Sequence, residues 1–442
     1  MKQKVIIGIF FLEVLILSFN NISSQASENQ YFIYLPIVFL DIPSWREVGT
    51  GSASGNGISN NAGDSFAPSI AVAPNGTPYV AWYDSSNGSS YEIYVKKWNG
   101  SSWVDVGANS SSGGGISNNT GDSTRPSITI APNNTPYVAW SDNSGGAYSE
   151  IYVKKWDGSG WVEVGTGSAS NGGISNNPGP SHNPSISVAP NGTPYVAWTD
   201  YSSNEEIYVK KWNGSSWTEV GLGSASSGGI SDNPGSSSQP DIAIDSNNMV
   251  YIAWTDSSAG DSEIYLRMWN GVSWIQLSNS ATGGGISNNT SGSWFPSIAI
   301  SFDGVPYVAW ENVNNSDYQI YVRAWNGYSW TQVGYNSANG GGISNNDGYS
   351  STPSIAIGPN GTPYVAWEDD SGGGLSEIFV RMWNGSYWAQ IGGNSAFGGG
   401  ISNNNSSSRS ASIFIDSNNS PYVTWYDKSS NNWEIYVRQY VE

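Results

Sequence analysis

The chain has 442 residues, among them 54 glycines, 22 tryptophans and 26 tyrosines, and only 12% are charged; this composition favours many short strands packed through aromatic rings and disfavours a helical protein. A formal charge of −19 repels phosphate backbones and anionic bilayers, which excludes nucleic acid as a partner. With no cysteine and one histidine, His182, disulfides, thiolate chemistry, Cys-ligated zinc and His-cluster metal sites are excluded, and no metal or other cofactor is expected.

Residues 1–26 read as a signal peptide: Lys2 and Lys4, an apolar run from Val5 to Phe19, then the small-residue site Ser24-Gln25-Ala26. The protein is therefore expected to be secreted or held at the cell surface, with membrane attachment only if this segment is retained. Residues 27–43 form a linker or rim segment. They contain an apolar stretch, Tyr31–Leu40, that is too short to span a bilayer.

From residue 44 onward one unit repeats. The motif PYVAW, or a close variant, places tryptophans at Trp82, Trp140, Trp198, Trp254, Trp310, Trp367 and Trp425, 56–58 residues apart. Each unit reads as an apolar run (PSIAVA at Pro68–Ala73), a PNGT turn, PYVAW, a polar loop, EIYVKKW, an NGSS turn and WVDVG. That pattern predicts four strands. Asn75-Gly76 and Asn99-Gly100 suit tight hairpins, so adjacent strands are antiparallel. Sheets that are apolar on both faces must stack on one another, and the expected fold is all-β, a seven-bladed β-propeller over residues 44–442. The seventh unit has three strands (Ser412–Ile415, Pro421–Asp427, Trp433–Tyr440) and ends at Glu442 without its fourth. Ser44–Gly49, reading SWREVG, matches the missing strand, so the N-terminus should complete the last blade and close a monomeric ring with no open edge.

The hairpin Trp98-Asn99-Gly100-Ser101-Ser102-Trp103 resembles the W-[N/D]-G-S-x-W repeat of seven-bladed propeller lectins. Gly100–Trp103 is also similar to the latter half of the Asp-box of sialidases, although Lys96 and Trp98 stand where that motif has Ser and Asp. These resemblances imply a carbohydrate-related propeller. The sialidase likeness would further imply an arginine triad and a Tyr/Glu pair, of which no full set is found.

One register differs from unit to unit while its neighbours hardly change. After an invariant serine (Ser65, Ser123, Ser181, Ser237, Ser293, Ser350, Ser408) come the pairs Phe66-Ala67, Thr124-Arg125, His182-Asn183, Ser238-Gln239, Trp294-Phe295, Ser351-Thr352 and Arg409-Ser410, followed by proline in six of seven copies. Placed in the loop before the innermost strand, these side chains should surround the mouth of the central channel. The candidate ligand-binding set is Phe66, Arg125, His182, Gln239, Trp294 and Arg409, with loop drift as the bland explanation. Aromatic rings stack on sugars and arginine clasps carboxylate or sulfate, which points to an acidic saccharide or cell-surface glycan as partner. No acid occupies this register, so a non-catalytic, lectin-like binding protein ranks first. The alternatives are a sialidase-like glycoside hydrolase or polysaccharide lyase drawing on Arg125, Arg409, His182, Tyr349 and Asp64 or Asp122, and a structural or protein-interaction propeller. A sevenfold candidate also exists: the GIS[N/D]N loops (Asn60 and its equivalents) with the acids at Asp84, Asp142, Asp200, Asp256, Asp369 and Asp427, and Asn312 in the fifth copy. These residues either cap turns or form weak inter-blade sites for sugar or calcium.

Overall fold

A strand reading Pro-Tyr-Val-Ala-Trp has no polar face to turn toward water, so it demands cover on both sides. The computed structural model supplies it with seven four-stranded antiparallel sheets arranged as a propeller. It describes residues 43–442 apart from 89, 315 and 316; the expected signal peptide and almost all of the 27–43 segment lie outside the described residues. Blade one consists of Ser65–Val72, Pro78–Asp84, Glu92–Trp98 and Trp103–Asp105. Val80, Ala81 and Trp82 in its second strand are 0% exposed. Ala71, Ala81 and Val95 of this blade pack against Ile128, Val138 and Trp140 of the next, so each seam is an apolar core. The buried indole of Trp82 keeps a partner there, donating from Nε1 to Asp84 Oδ2 at 3.0 Å.

Two cyclic sets of hydrogen bonds pass from blade to blade. Around the axis, Ile128 N donates to Ser69 Oγ of the preceding blade at 3.2 Å, and the series returns to its start when Ile70 N donates to Ser412 Oγ at 3.3 Å. In blade four Asp241 replaces the serine and accepts from Ile298 N at 2.8 Å. At the rim, Trp103 Nε1 donates to Val48 O at 2.8 Å, and Trp45 Nε1 donates to Ile391 O at 2.9 Å. Both sets close through the chain ends. Ser44–Glu47 pairs antiparallel with Glu434–Val441, placing Trp45 opposite Tyr440 and Glu47 opposite Arg438, as expected.

The innermost strand departs from the expected boundaries. It begins at Ser65, not at Pro68, because Ser65 and Phe66 pair with Asp84 and Tyr83 before the ladder shifts by a bulge and resumes at Ser69. Proline, which has no N–H to give to a ladder, sits at the bulge and reads from sequence as a strand start. The variable pairs therefore lie inside the strand, not in the loop before it.

Polar stitches bind each seam at the level of the third strand. Lys96 Nζ reaches the connection preceding its own blade and donates to Ile58 O at 2.7 Å. Glu434 Oε2 accepts from Ser59 Oγ at 2.5 Å, while that hydroxyl accepts from Ile435 N at 2.8 Å. Gly57 makes the approach possible: it sits at φ +60°, and a Cβ there would lie 2.1 Å from Ile435 O. Blade five places Gln319 at the glutamate position, accepting from Ser344 Oγ at 2.8 Å. Burial pushes Glu206, Glu263, Glu377 and Glu434 up to about 7, from an ordinary value of 4.5. A group that holds its proton more tightly when folded stabilises fully below its unfolded value and loses that contribution as pH rises through the folded one. His182, pushed down by burial and then by the Arg125 charge, acts in the opposite sense. Thermal unfolding followed by circular dichroism should show Tm rising as pH falls from 8 to 5, and replacing the four glutamates by Gln should flatten that dependence.

Candidate functional site

The bulge turns the second member of each variable pair toward the axis. Ala67, Arg125, Asn183, Gln239, Phe295, Thr352 and Ser410 all adopt positive φ, between +45° and +57°, a region that disfavours L residues and more so ahead of proline. Together they ring a cavity of about 540 Å³ at one end of the channel, floored by the axial serines and Asp241. Three of their backbone amides are held by the side chain that follows the PYVAW tryptophan in the preceding blade. Gln239 N donates to Thr199 Oγ1 at 3.0 Å, Thr352 N to Glu311 Oε2 at 3.0 Å and Ser410 N to Glu368 Oε2 at 3.1 Å.

The six sequence-derived site residues are divided by this geometry. Arg125 and Gln239 line the cavity. Phe66, His182, Trp294 and Arg409 are first members of their pairs, facing second-strand partners (Tyr83, Thr199, Glu311 and Tyr426) across the ladder, and they do not line it. Phe66 and Arg409 instead join a strip of rings over blades seven and one. Phe66 lies 5.4 Å from Tyr426 and 5.4 Å from Tyr83, Tyr426 lies 5.1 Å from Trp433, and Tyr83 lies 5.3 Å from Tyr91. The Arg409 guanidinium stands 6.0 Å from the Trp433 ring centre and Lys428 Nζ 5.6 Å, within cation–π range. Beyond Tyr83, Arg125 Nη1 donates to Asn183 Oδ1, and His182 meets Tyr201 edge-on at 5.8 Å. Trp294 is apart from this strip, in blade five against Tyr318.

The variable-pair register holds no acid, but the cavity floor holds Asp241 and a neighbouring register of the second strand holds two more acids. The residue after each PYVAW tryptophan varies as Tyr83, Ser141, Thr199, Thr255, Glu311, Glu368 and Tyr426, and on the second strand it stands opposite the first member of the variable pair, as Glu311 does to Trp294. Glu311 is 5% exposed. Burial first, then the neighbouring Glu368, pushes its carboxyl up to about 7. This register satisfies the criterion that singled out the variable pairs, variation between constant neighbours, and so was open to sequence reasoning. Asp64 and Asp122 stand outside the mouth, accepting from the amides of Trp433 and Tyr91 at 3.0 Å each.

The sevenfold candidate is internal. Asp84 is 0% exposed and accepts from Ser65 Oγ at 2.6 Å, Asn61 Nδ2 at 2.6 Å and Ser86 N at 2.8 Å. These bonds occupy its lone pairs and mark the set as turn capping. The asparagine on the aspartate is Asn61, next to the Asn60 singled out from sequence.

The described residues thus define a seven-bladed β-propeller with an asymmetric aromatic and cationic face. No protein-family model and no curated protein matches the chain. Among solved structures it is similar to an ulvan lyase, described as a new family of polysaccharide lyase (11% identity, 85% of this chain and 94% of that one, TM-score 0.47). It is also similar to an α-L-arabinanase of Penicillium chrysogenum in complex with arabinobiose (14%, 72% and 92%, TM-score 0.42) and to a protein of unknown function from Dyadobacter fermentans (12%, 72% and 94%, TM-score 0.45). Likeness at this level does not bear on activity.

Because Ala67 carries the strained conformation with no functional side chain, Ala67→Gly should relieve it and stabilise the protein by about 1 kcal/mol in chemical denaturation. The same change at Ala81, in a straight and buried strand, should destabilise.

Proposed function

We propose that the protein is an exported, non-catalytic carbohydrate-binding propeller whose ligand lies across the channel mouth and the aromatic strip beside it. The observation that carries this reading is the row of part-exposed rings Phe66, Tyr83, Tyr426 and Trp433. Packing does not require them. Blades two and four put Thr124 with Ser141 and Ser238 with Thr255 at the positions of Phe66 with Tyr83, and build the same sheet. Flat apolar rings at the surface match the C–H faces of sugars, and the adjoining Asn183 and Gln239 supply donors and acceptors for hydroxyls. A glycan-array screen of the purified protein should give a carbohydrate hit whose affinity falls about tenfold or more in Phe66→Ala and Trp433→Ala, with unchanged unfolding. An array without hits would remove the reading.

Glu311 favours a second reading, a glycoside hydrolase. Thr199 holds a mouth amide as Glu311 does, without charge, so the adjacent carboxylates of Glu311 and Glu368 exceed what the backbone needs. Trp294 lies opposite Glu311 on the ladder, and a carboxyl held near 7 by burial suits a general acid. If the protein turns over the glycan it binds, Glu311→Gln should abolish turnover and leave binding intact. Turnover unaffected by that change would exclude this role for Glu311.

A further inference from the structure

The chain has 16 Lys and Arg against 35 Asp and Glu, and almost all of its cations have posts elsewhere. Ten stand in third strands, such as Lys96 and Lys97 of Glu92–Trp98; Arg46 is in the closing strand, and Lys2 and Lys4 precede the ring. The remaining three are Arg125, Arg409 and Lys428. All three are exposed and stand along the aromatic strip, and no carboxylate pairs with any of them among the described residues. In a chain so rich in acids, three cations gathered on one face without a carboxylate partner leave positive charge available to a ligand.

Their arrangement selects the kind of anion. Arg409 and Lys428 share Trp433 at one end, while Arg125 is turned to Asn183 of blade three at the other. Between them run Tyr426, Phe66 and Tyr83 at centre-to-centre steps of 5.4 Å. Two arginines turned to opposite ends of a run of rings do not clasp one carboxylate; they suit a chain that carries anionic groups at intervals, with its sugar faces on the rings between. We infer that the ligand is a linear acidic polysaccharide, bearing uronate or sulfate groups, laid along blades seven, one and two. This inference rests on the carbohydrate-binding reading.

Titration calorimetry of the purified protein tests it, with polygalacturonate, dextran sulfate, neutral dextran, galacturonic acid and single-stranded DNA as probes. At least one of the two acidic polymers should bind, more weakly as salt rises, and the monosaccharide should bind at least tenfold more weakly. Arg125→Gln and Arg409→Gln should each lower affinity about tenfold, as should Trp433→Ala, while Lys155→Gln in a third strand should have no effect. Neutral dextran bound as tightly as the acidic polymers, unaffected by either arginine change, would overturn the acidic class and leave carbohydrate binding standing. Single-stranded DNA bound equally well, with Trp433→Ala silent, would mean capture of any polyanion and overturn the inference. If neither these polymers nor the array gave binding, both readings would fall.

Discussion

The covering of every blade by its two neighbours is the constraint on which the rest of this structure depends. Strands such as Pro78–Asp84 are buried on both faces, so a sheet at an open end would expose an apolar surface and a free ladder edge. The last three strands lack a partner from their own unit, and Ser44–Glu47 fills that place. With the ends joined, the axial hydrogen bonds return from Ser412 to Ile70 and the rim indoles from Trp45 to Ile391. The same closure brings blade seven beside blade one. Without it Tyr426 and Trp433 would not reach Phe66, and the aromatic strip would not exist.

On this sevenfold frame the mouth is built by departures from symmetry. Each blade contributes a bulged residue at positive φ, a conformation that costs on the order of 1 kcal/mol or more outside glycine. The frame bears that strain because the bonds on either side are fixed by repeated packing. Each blade can then display a different side chain at one geometrically equivalent point: Arg125 in one, Gln239 in another, Phe295 in a third. The second-strand register adds a further layer, tyrosine in blades seven and one and glutamate in blades five and six. A repetitive scaffold thereby acquires an asymmetric mouth with a cationic, aromatic strip beside it.

Period, strand count and closure were legible in the sequence because they are written seven times, and the orphan SWREVG segment had one vacancy to fill. The variable register was legible for the same reason. Its division between cavity and strip was not, since that depends on a bulge that pattern reading cannot register: Pro68 looks like the beginning of a strand when it marks an interruption within one. Glu311 and Glu368 were overlooked because they adjoin the most regular motif of the unit, where PYVAW reads as core throughout. Trp433, read from sequence as the first residue of the third strand, and Lys428 lie in the loop before that strand, which begins at Glu434, and unequal loop lengths hide correspondence between copies there. Only the fold shows that this loop stands over Phe66.

Since the chain contains no cysteine, closure can be tested directly by placing one on each side of the junction. Arg46 and Gln439 are opposite one another in the closing pair, so R46C/Q439C should form an intramolecular disulfide under mild oxidation, seen as a reducible shift on electrophoresis and a higher Tm than the reduced form. A double variant that stays fully reduced while remaining folded, or that links only between molecules, would contradict the closed ring and the aromatic strip built on it.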